Sequence, residues 1–128
     1  MIPTRTISLA LVIVAGTLAP AASARHGGGA AKTVAGKCTN RSAAKLKVKA
    51  DDGRLATEFE VDQNRSGVRW KVVLRRNGNV AVRTQATTHA PSGSFSVGRR
   101  LTDGAGSDRI TARATSPSGE VCTAALSF

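Results

Sequence analysis

The sequence predicts an all-β domain, an antiparallel sandwich of roughly seven short strands. Three observations predict it. Apolar and polar residues alternate at period two in segment after segment. Turn residues punctuate these segments at intervals of about ten residues. No stretch beyond the N-terminal segment carries the period of an amphipathic helix. Past that segment about a hundred residues remain, enough for one domain with a modest core.

Residues 1–24, MIPTRTISLALVIVAGTLAPAASA, have the layout of a secretory signal peptide. Arg5 supplies the positive start, Ile7 to Ala19 the apolar run, Pro20 the break, and Ala22-Ser23-Ala24 the small residues of a cleavage site. The run is short for a bilayer span, so no membrane span is expected after cleavage. Lys37 stands where a lipoprotein signal needs a small residue before its cysteine, which argues against lipidation at Cys38. Residues 25–36, RHGGGAAKTVAG, are rich in glycine and alanine and read as a flexible leader. The sandwich domain is expected over 37–128.

In AKLKVKA, Ala44, Leu46, Val48 and Ala50 share one face, while Lys45, Lys47 and Lys49 share the other. Asp51-Asp52-Gly53 turns the chain. RLATEFEVD then points Leu55, Thr57, Phe59 and Val61 one way and Glu58 and Glu60 the other. After a loop from Gln63 to Gly67, Val68, Trp70, Val72 and Leu74 face inward, leaving Arg69, Lys71, Val73 and Arg75 outside. Asn77-Gly78 suits a two-residue hairpin turn, because both residues tolerate positive φ. Val80, Val82 and Thr84 continue the alternation on the returning strand. SFSV gives a strand through Phe95 and Val97. RITARA places Ile110, Ala112 and Ala114 inside and Arg109, Thr111 and Arg113 outside. Pro117-Ser118-Gly119 leads into the last strand, where Cys122, Ala124, Leu126 and Phe128 are in phase.

The chain has two cysteines, Cys38 and Cys122, near the two ends of the expected domain. In an exported protein they pair most economically with each other, joining first strand to last. Closing a loop of about 85 residues removes roughly 4–5 kcal/mol of unfolded-state entropy on the chain-entropy model.

Several kinds of chemistry lack their residues. His26 sits in the leader; His89 lies in the loop TTHAPSGS beside Ser92 and Ser94, with Asp103 and Asp108 further on. No G-x-S-x-G turn accompanies them, so no catalytic residue is expected. Asp51-Asp52-Gly53 and the Asp103–Asp108 segment lack the ligand spacing of a calcium loop and read as turns. Only cleavage after Ser23 would free an Ala24-Arg25-His26 terminus able to chelate copper or nickel. No metal and no cofactor is expected. Trp70 and the three phenylalanines are in phase with the core and there is no tyrosine, which leaves no aromatic platform for sugars or single-stranded nucleic acid. A dedicated nucleic-acid role is not expected.

The residues resemble the immunoglobulin-like sandwiches. Trp70 on the third strand follows Phe59 by eleven positions. DGAGSDRITARA is similar to the motif that opens the sixth strand of such domains: Asp103, Ala105 and Gly106 match, Asp108 stands at the tyrosine position, and Ile110 and Phe59 stand at the two cysteine positions. From Cys38 to Phe128 the chain also resembles a group of small exported actinobacterial proteins with segments like NRSGVRW, RRNGN, SGSFSV and SGEVCTA. The resemblance implies fold and export, and carries no activity or substrate.

The formal net charge of +11 attracts polyanions such as cell-wall phosphate polymers, and it also keeps an exported chain soluble. Lys45, Lys47 and Lys49 face Glu58 and Glu60 on the neighbouring strand, which partly neutralises that side. In the immunoglobulin-like arrangement the third and sixth strands are neighbours. Their outward residues, Arg69, Lys71, Arg75, Arg109 and Arg113, include no acid, and Arg83, Arg99 and Arg100 are placed to extend the strip. The expected protein is a secreted, non-catalytic binding or structural module, extracellular or cell-wall-associated, whose sharpest version docks on anionic cell-envelope polymer through this strip. The alternative is a module that binds another extracellular protein, as inhibitor or adhesion partner, through the loop from His89 to Ser94.

Overall fold

A computed structural model describes residues 30–128. The signal peptide read over 1–24, the start of the leader and His26 lie outside the described residues. Nine strands form: β1 (Ala31–Ala35), β2 (Lys37–Cys38), β3 (Ala43–Asp51), β4 (Arg54–Asp62), β5 (Arg69–Arg76), β6 (Asn79–Thr87), β7 (Ser94–Thr102), β8 (Arg109–Thr115) and β9 (Val121–Ser127). They make two antiparallel sheets, one of order β1-β3-β4-β7 and one of order β2-β9-β8-β5-β6. Among the described residues no helix is long and apolar enough to cross a membrane.

The seven strands expected from the alternation are β3 to β9. Their inward residues meet between the sheets as one core, from Leu46 and Val48 through Phe59 and Trp70 to Ile110 and Leu126. Trp70 is 0 % exposed. Its indole Nε1–H donates to Gln63 Oε1 at 3.1 Å, and its ring lies 6.0 Å from that of Phe95. A buried indole needs such a partner, because an unmet N–H in the core costs about 1–3 kcal/mol. Every buried side-chain nitrogen or oxygen among the described residues is hydrogen-bonded.

Two turns fix the register of the longest hairpins. Asp52-Gly53 joins β3 to β4, and Asn77-Gly78 joins β5 to β6, with all four residues at positive φ. Left-handed pairs of this kind match the twist of the strands they join. One departure from the expected alternation follows the second turn. A bulge at Leu74/Arg75 leaves Val80 opposite Arg75, so Val80 faces outward at 43 % exposure while Val82 stays against the core.

The strand count of seven is corrected to nine by β1 and β2, which precede the first expected strand. Residues 31–35, read from sequence as leader, pair with β3 from Ala31 opposite Lys49 to Ala35 opposite Lys45. Nothing in their pattern announces a strand because four of the five residues are exposed, with only Val34 packed on the core. The chain then changes sheets at Gly36. A Cβ there would lie 2.7 Å from Thr123 O and 2.8 Å from Ala44 Cβ, too close for any side chain. Immediately afterwards Lys37 and Cys38 pair with Thr123 and Cys122 on β9. The disulfide Cys38–Cys122 therefore joins two adjacent strands, across a Cα separation of 4.0 Å. It ties the leading strand β2, rather than the AKLKVKA strand, to the last strand. Phe128, expected in the core, is half-buried beyond the end of β9, with Lys32 Nζ 5.7 Å from its ring centre.

The crossover at Gly36 makes a direct prediction. Gly36→Ala should cost about 1–3 kcal/mol of stability through overpacking. Gly98→Ala, where an added Cβ meets nothing within 4 Å, should leave the melting temperature unchanged or slightly raised.

Candidate polyanion-binding face

The outer face of the five-stranded sheet is built by alternate residues of its strands. On β5 these are Arg69, Lys71, Val73 and Arg75, and on β8 they are Arg109, Thr111, Arg113 and Thr115. β6 adds Arg83 and β2 adds Lys37. β5 and β8 are hydrogen-bonded neighbours, with Lys71 opposite Thr115, Val73 opposite Arg113 and Arg75 opposite Thr111. The structure thus brings all five residues of the expected strip onto one face: Arg69, Lys71, Arg109 and Arg113 are exposed and Arg75 is half-buried.

None of the chain's eight carboxylates lies on a strand of this sheet. Glu58, Glu60 and Asp62 belong to β4 in the other sheet, Asp51 and Asp52 to the β3–β4 turn region, and Asp103, Asp108 and Glu120 precede β8 and β9. Three ion pairs occur among the described residues, Lys45–Glu60 at 3.9 Å, Arg76–Asp108 at 3.0 Å and Arg100–Asp51. No cation of the outer face takes part in them. The four-stranded sheet differs, since Lys45 stands opposite Glu60 and Lys47 opposite Glu58. Its lysines are therefore partly neutralised across the strands.

Two of the residues placed to extend the strip do not. Arg99 and Arg100 lie on β7 in the four-stranded sheet, and Arg100 pairs with Asp51. Arg83 does extend it, facing Val73 from β6. Val73 is consequently ringed by four cations: Lys71 and Arg75 two residues away along β5, Arg113 and Arg83 on the flanking strands. At ~4.8 Å between strands and ~6.7 Å per two residues, these backbone positions span about 10 by 13 Å. The floor around them is small-sided. A shallow trough of about 450 Å³ runs past Lys37, Thr123, Arg113, Val73 and Arg75, and another of about 440 Å³ past Arg69, Lys71, Gln85 and Thr115.

A buried carboxylate holds the end of this face. Asp108, 1 % exposed, accepts from Arg76 Nε at 3.1 Å, Asn77 Nδ2 at 2.9 Å and the Gly104 N–H at 3.0 Å. Asn77 in turn accepts the Arg109 N–H on Oδ1 at 2.8 Å and donates its own backbone N–H to Arg109 O at 2.8 Å. The β5–β6 turn is thereby locked to the start of β8, which fixes Arg75 and Arg109 relative to each other. From the sequence Asp108 reads as a turn residue, because its side-chain partners Arg76 and Asn77 lie about thirty residues away. The Asn77 hydrogen bond, with help from Gly104 N–H and the Arg76 charge, outweighs burial and holds the Asp108 carboxyl below its ordinary range.

Glu120 was also missed. Its carboxylate accepts from Asn40 N–H and Ser42 N–H, both at 3.1 Å, and from Ser42 Oγ at 2.6 Å, pinning the loop between β2 and β3. It lies close to Cys38 and Cys122, but both sulfurs are consumed in the disulfide. His89 is exposed, with Nδ1 3.3 Å from Thr87 O, while Ser92 Oγ bonds Ser94 Oγ at 2.6 Å. Asp108 is engaged elsewhere, and among the described residues no hydrogen bond joins His89 to Ser92, Ser94 or Asp103 side chains. The loop itself is braced: Gln63 N–H donates to Gly93 O at 3.0 Å and Thr88 Oγ1 to Arg65 O at 2.5 Å.

Asp108 sets a pH dependence. Its folded pKa lies below the unfolded value of about 4, so its stabilisation is present above pH 4 and disappears as pH falls through the folded pKa. Asp108→Asn should lower the melting temperature by several degrees at pH 7 and shrink the further fall as pH drops below about 4, measured by circular dichroism. Comparison of the chain with protein-family models, curated proteins and solved structures finds no match, so the face has only its own geometry to speak for it.

Proposed function

We propose that the protein is a secreted, non-catalytic binding module of the immunoglobulin-like kind, resident outside the cell or at its wall, that docks on anionic cell-envelope polymer. The observation that carries this reading is the set of seven cations, Lys37, Arg69, Lys71, Arg75, Arg83, Arg109 and Arg113, on a sheet whose strands hold no carboxylate. Five of the seven are arginines, whose planar fork grips phosphate oxygens in pairs. A surface selected for solubility alone gains nothing by segregating signs, and mixed charge is the ordinary solution. Support for the immunoglobulin-like class comes from β3 to β9: β3-β4-β7 in one sheet, β6-β5-β8-β9 in the other, with core Trp70 on β5 beside β8. The disulfide fits an oxidising compartment.

The braced loop from His89 to Ser94 supports a second reading, an inhibitor or adhesion module that presents this loop to another extracellular protein. Preformed loops of this kind bind without paying ordering entropy. Salt separates the two readings, because contacts to phosphates weaken steeply with ionic strength and a loop seated in a cleft does not.

The oxidised protein should co-sediment with purified cell envelopes at about 50 mM salt and lose at least about tenfold in binding near 500 mM. A folded variant with Arg69, Lys71, Arg75, Arg109 and Arg113 changed to serine should fail to bind at either salt. Equal binding by both proteins would contradict the docking face and favour the loop. Absence of binding by the unmodified protein would contradict the proposed partner.

A further inference from the structure

The register of the five-stranded sheet contains a pattern that no single strand shows. Lys37 stands opposite Thr123, Thr123 opposite Arg113, Arg113 opposite Val73, and Val73 opposite Arg83. These five residues form one row across β2, β9, β8, β5 and β6, with a cation on the first, third and fifth strands. At ~4.8 Å per strand the cations recur about every 9.6 Å over a length of about 19 Å. The adjoining rows are poorer. Val121, Thr115, Lys71 and Gln85 share one cation, and Ala125, Thr111, Arg75 and Val80 share one. Along the strands the cations stand instead at Arg69, Lys71 and Arg75 on β5, with Val73 between the last two, and at Arg109 and Arg113 on β8, with Thr111 between them.

One of the two troughs on this face is lined by Lys37, Thr123, Arg113 and Val73 of this row, together with Ala125, Thr111 and Arg75 of the next, and ends short of Arg83. We infer that the bound polymer crosses the strands, with phosphates along its length meeting Lys37, Arg113 and Arg83, and that it is a linear polyol-phosphate chain. This rests on the polyanion-docking reading. The positions between the cations, Thr123 and Val73, are small enough for an unbranched spacer to lie over them. Trp70, Phe59 and Phe95 are all inside the core, so the face offers no ring on which a sugar or a base could stack. A spacer of a few carbons needs no such ring. Lys71 and Arg75, flanking Val73 in the neighbouring rows, supply a second cation on either side of the path.

Two charge-matched variants separate the path from the mere charge. One is Lys37→Ser/Arg83→Ser/Arg113→Ser, along the row; the other is Arg69→Ser/Lys71→Ser/Arg75→Ser, along β5. Each removes three cations from the same face. Binding to a labelled poly(glycerol phosphate), followed by anisotropy at about 100 mM salt, should weaken at least about tenfold in the row variant and about threefold or less in the strand variant. Near-equal loss in the two would overturn the crossing path while leaving polyanion docking intact. No loss in either would overturn both. Tighter binding of polygalacturonate or of single-stranded DNA than of poly(glycerol phosphate) would overturn the polymer class. Should the row variant melt early, Arg83→Glu on the edge strand β6 gives the same test with one substitution: weakened binding supports the path, unchanged binding contradicts it.

Discussion

A one-residue slip of β5 would turn Arg69, Lys71 and Arg75 into the core and Trp70, Val72 and Leu74 out to water. Everything on the outer face depends on that slip not happening. Three features prevent it. The left-handed Asn77-Gly78 turn sets the pairing with β6. The Trp70 indole is held in the core by packing on Phe95 and by its hydrogen bond to Gln63. Asp108 gathers Arg76 and Asn77 and so fixes β5 against β8. The cationic surface is the wet side of a register chosen by the dry side.

Seven like charges on one face would be a liability if they were expensive. In water a pair of unit charges about 8 Å apart repels by only about 0.5 kcal/mol, and physiological salt screens it further. The fold tolerates the cluster without compensating acids for that reason. Where a second cation would have been costly, the structure supplies a partner: Arg76, facing the interior end of the sandwich, is neutralised by buried Asp108. The weak mutual repulsion becomes a strong collective attraction only when one ligand spans many of the cations at once. A polymer does this and a monovalent ion does not.

Much of this was legible in the sequence because period two survives wherever one strand face is dry. Seven strands, most of their phases and the core tryptophan follow from that alternation, and the hairpin turn follows from the Asn77-Gly78 pair itself. The strip on β5 and β8 was legible too, given neighbouring strands. What escaped notice has physical causes. β1 lies on an edge with only Val34 against the core and shows no alternation, so residues 31–35 look like leader. β2 is two residues long, below any periodic signal, and with it the place of Lys37 in the cationic row was hidden. The bulge that turns Val80 outward leaves no local mark. Asp108 and Glu120 resemble loop acids until their partners, about thirty and eighty residues distant, are known.

The central claim is that the outer face of the five-stranded sheet meets an anionic polymer. Nuclear magnetic resonance on the labelled oxidised protein tests it residue by residue. Titration with poly(glycerol phosphate) should shift the arginine Nε–H signals of Arg69, Arg75, Arg83 and Arg113 and the amides of β5, β8 and β9 around them. Shifts confined to the loop from His89 to Ser94, or to the lysine-bearing face of β3, would contradict it.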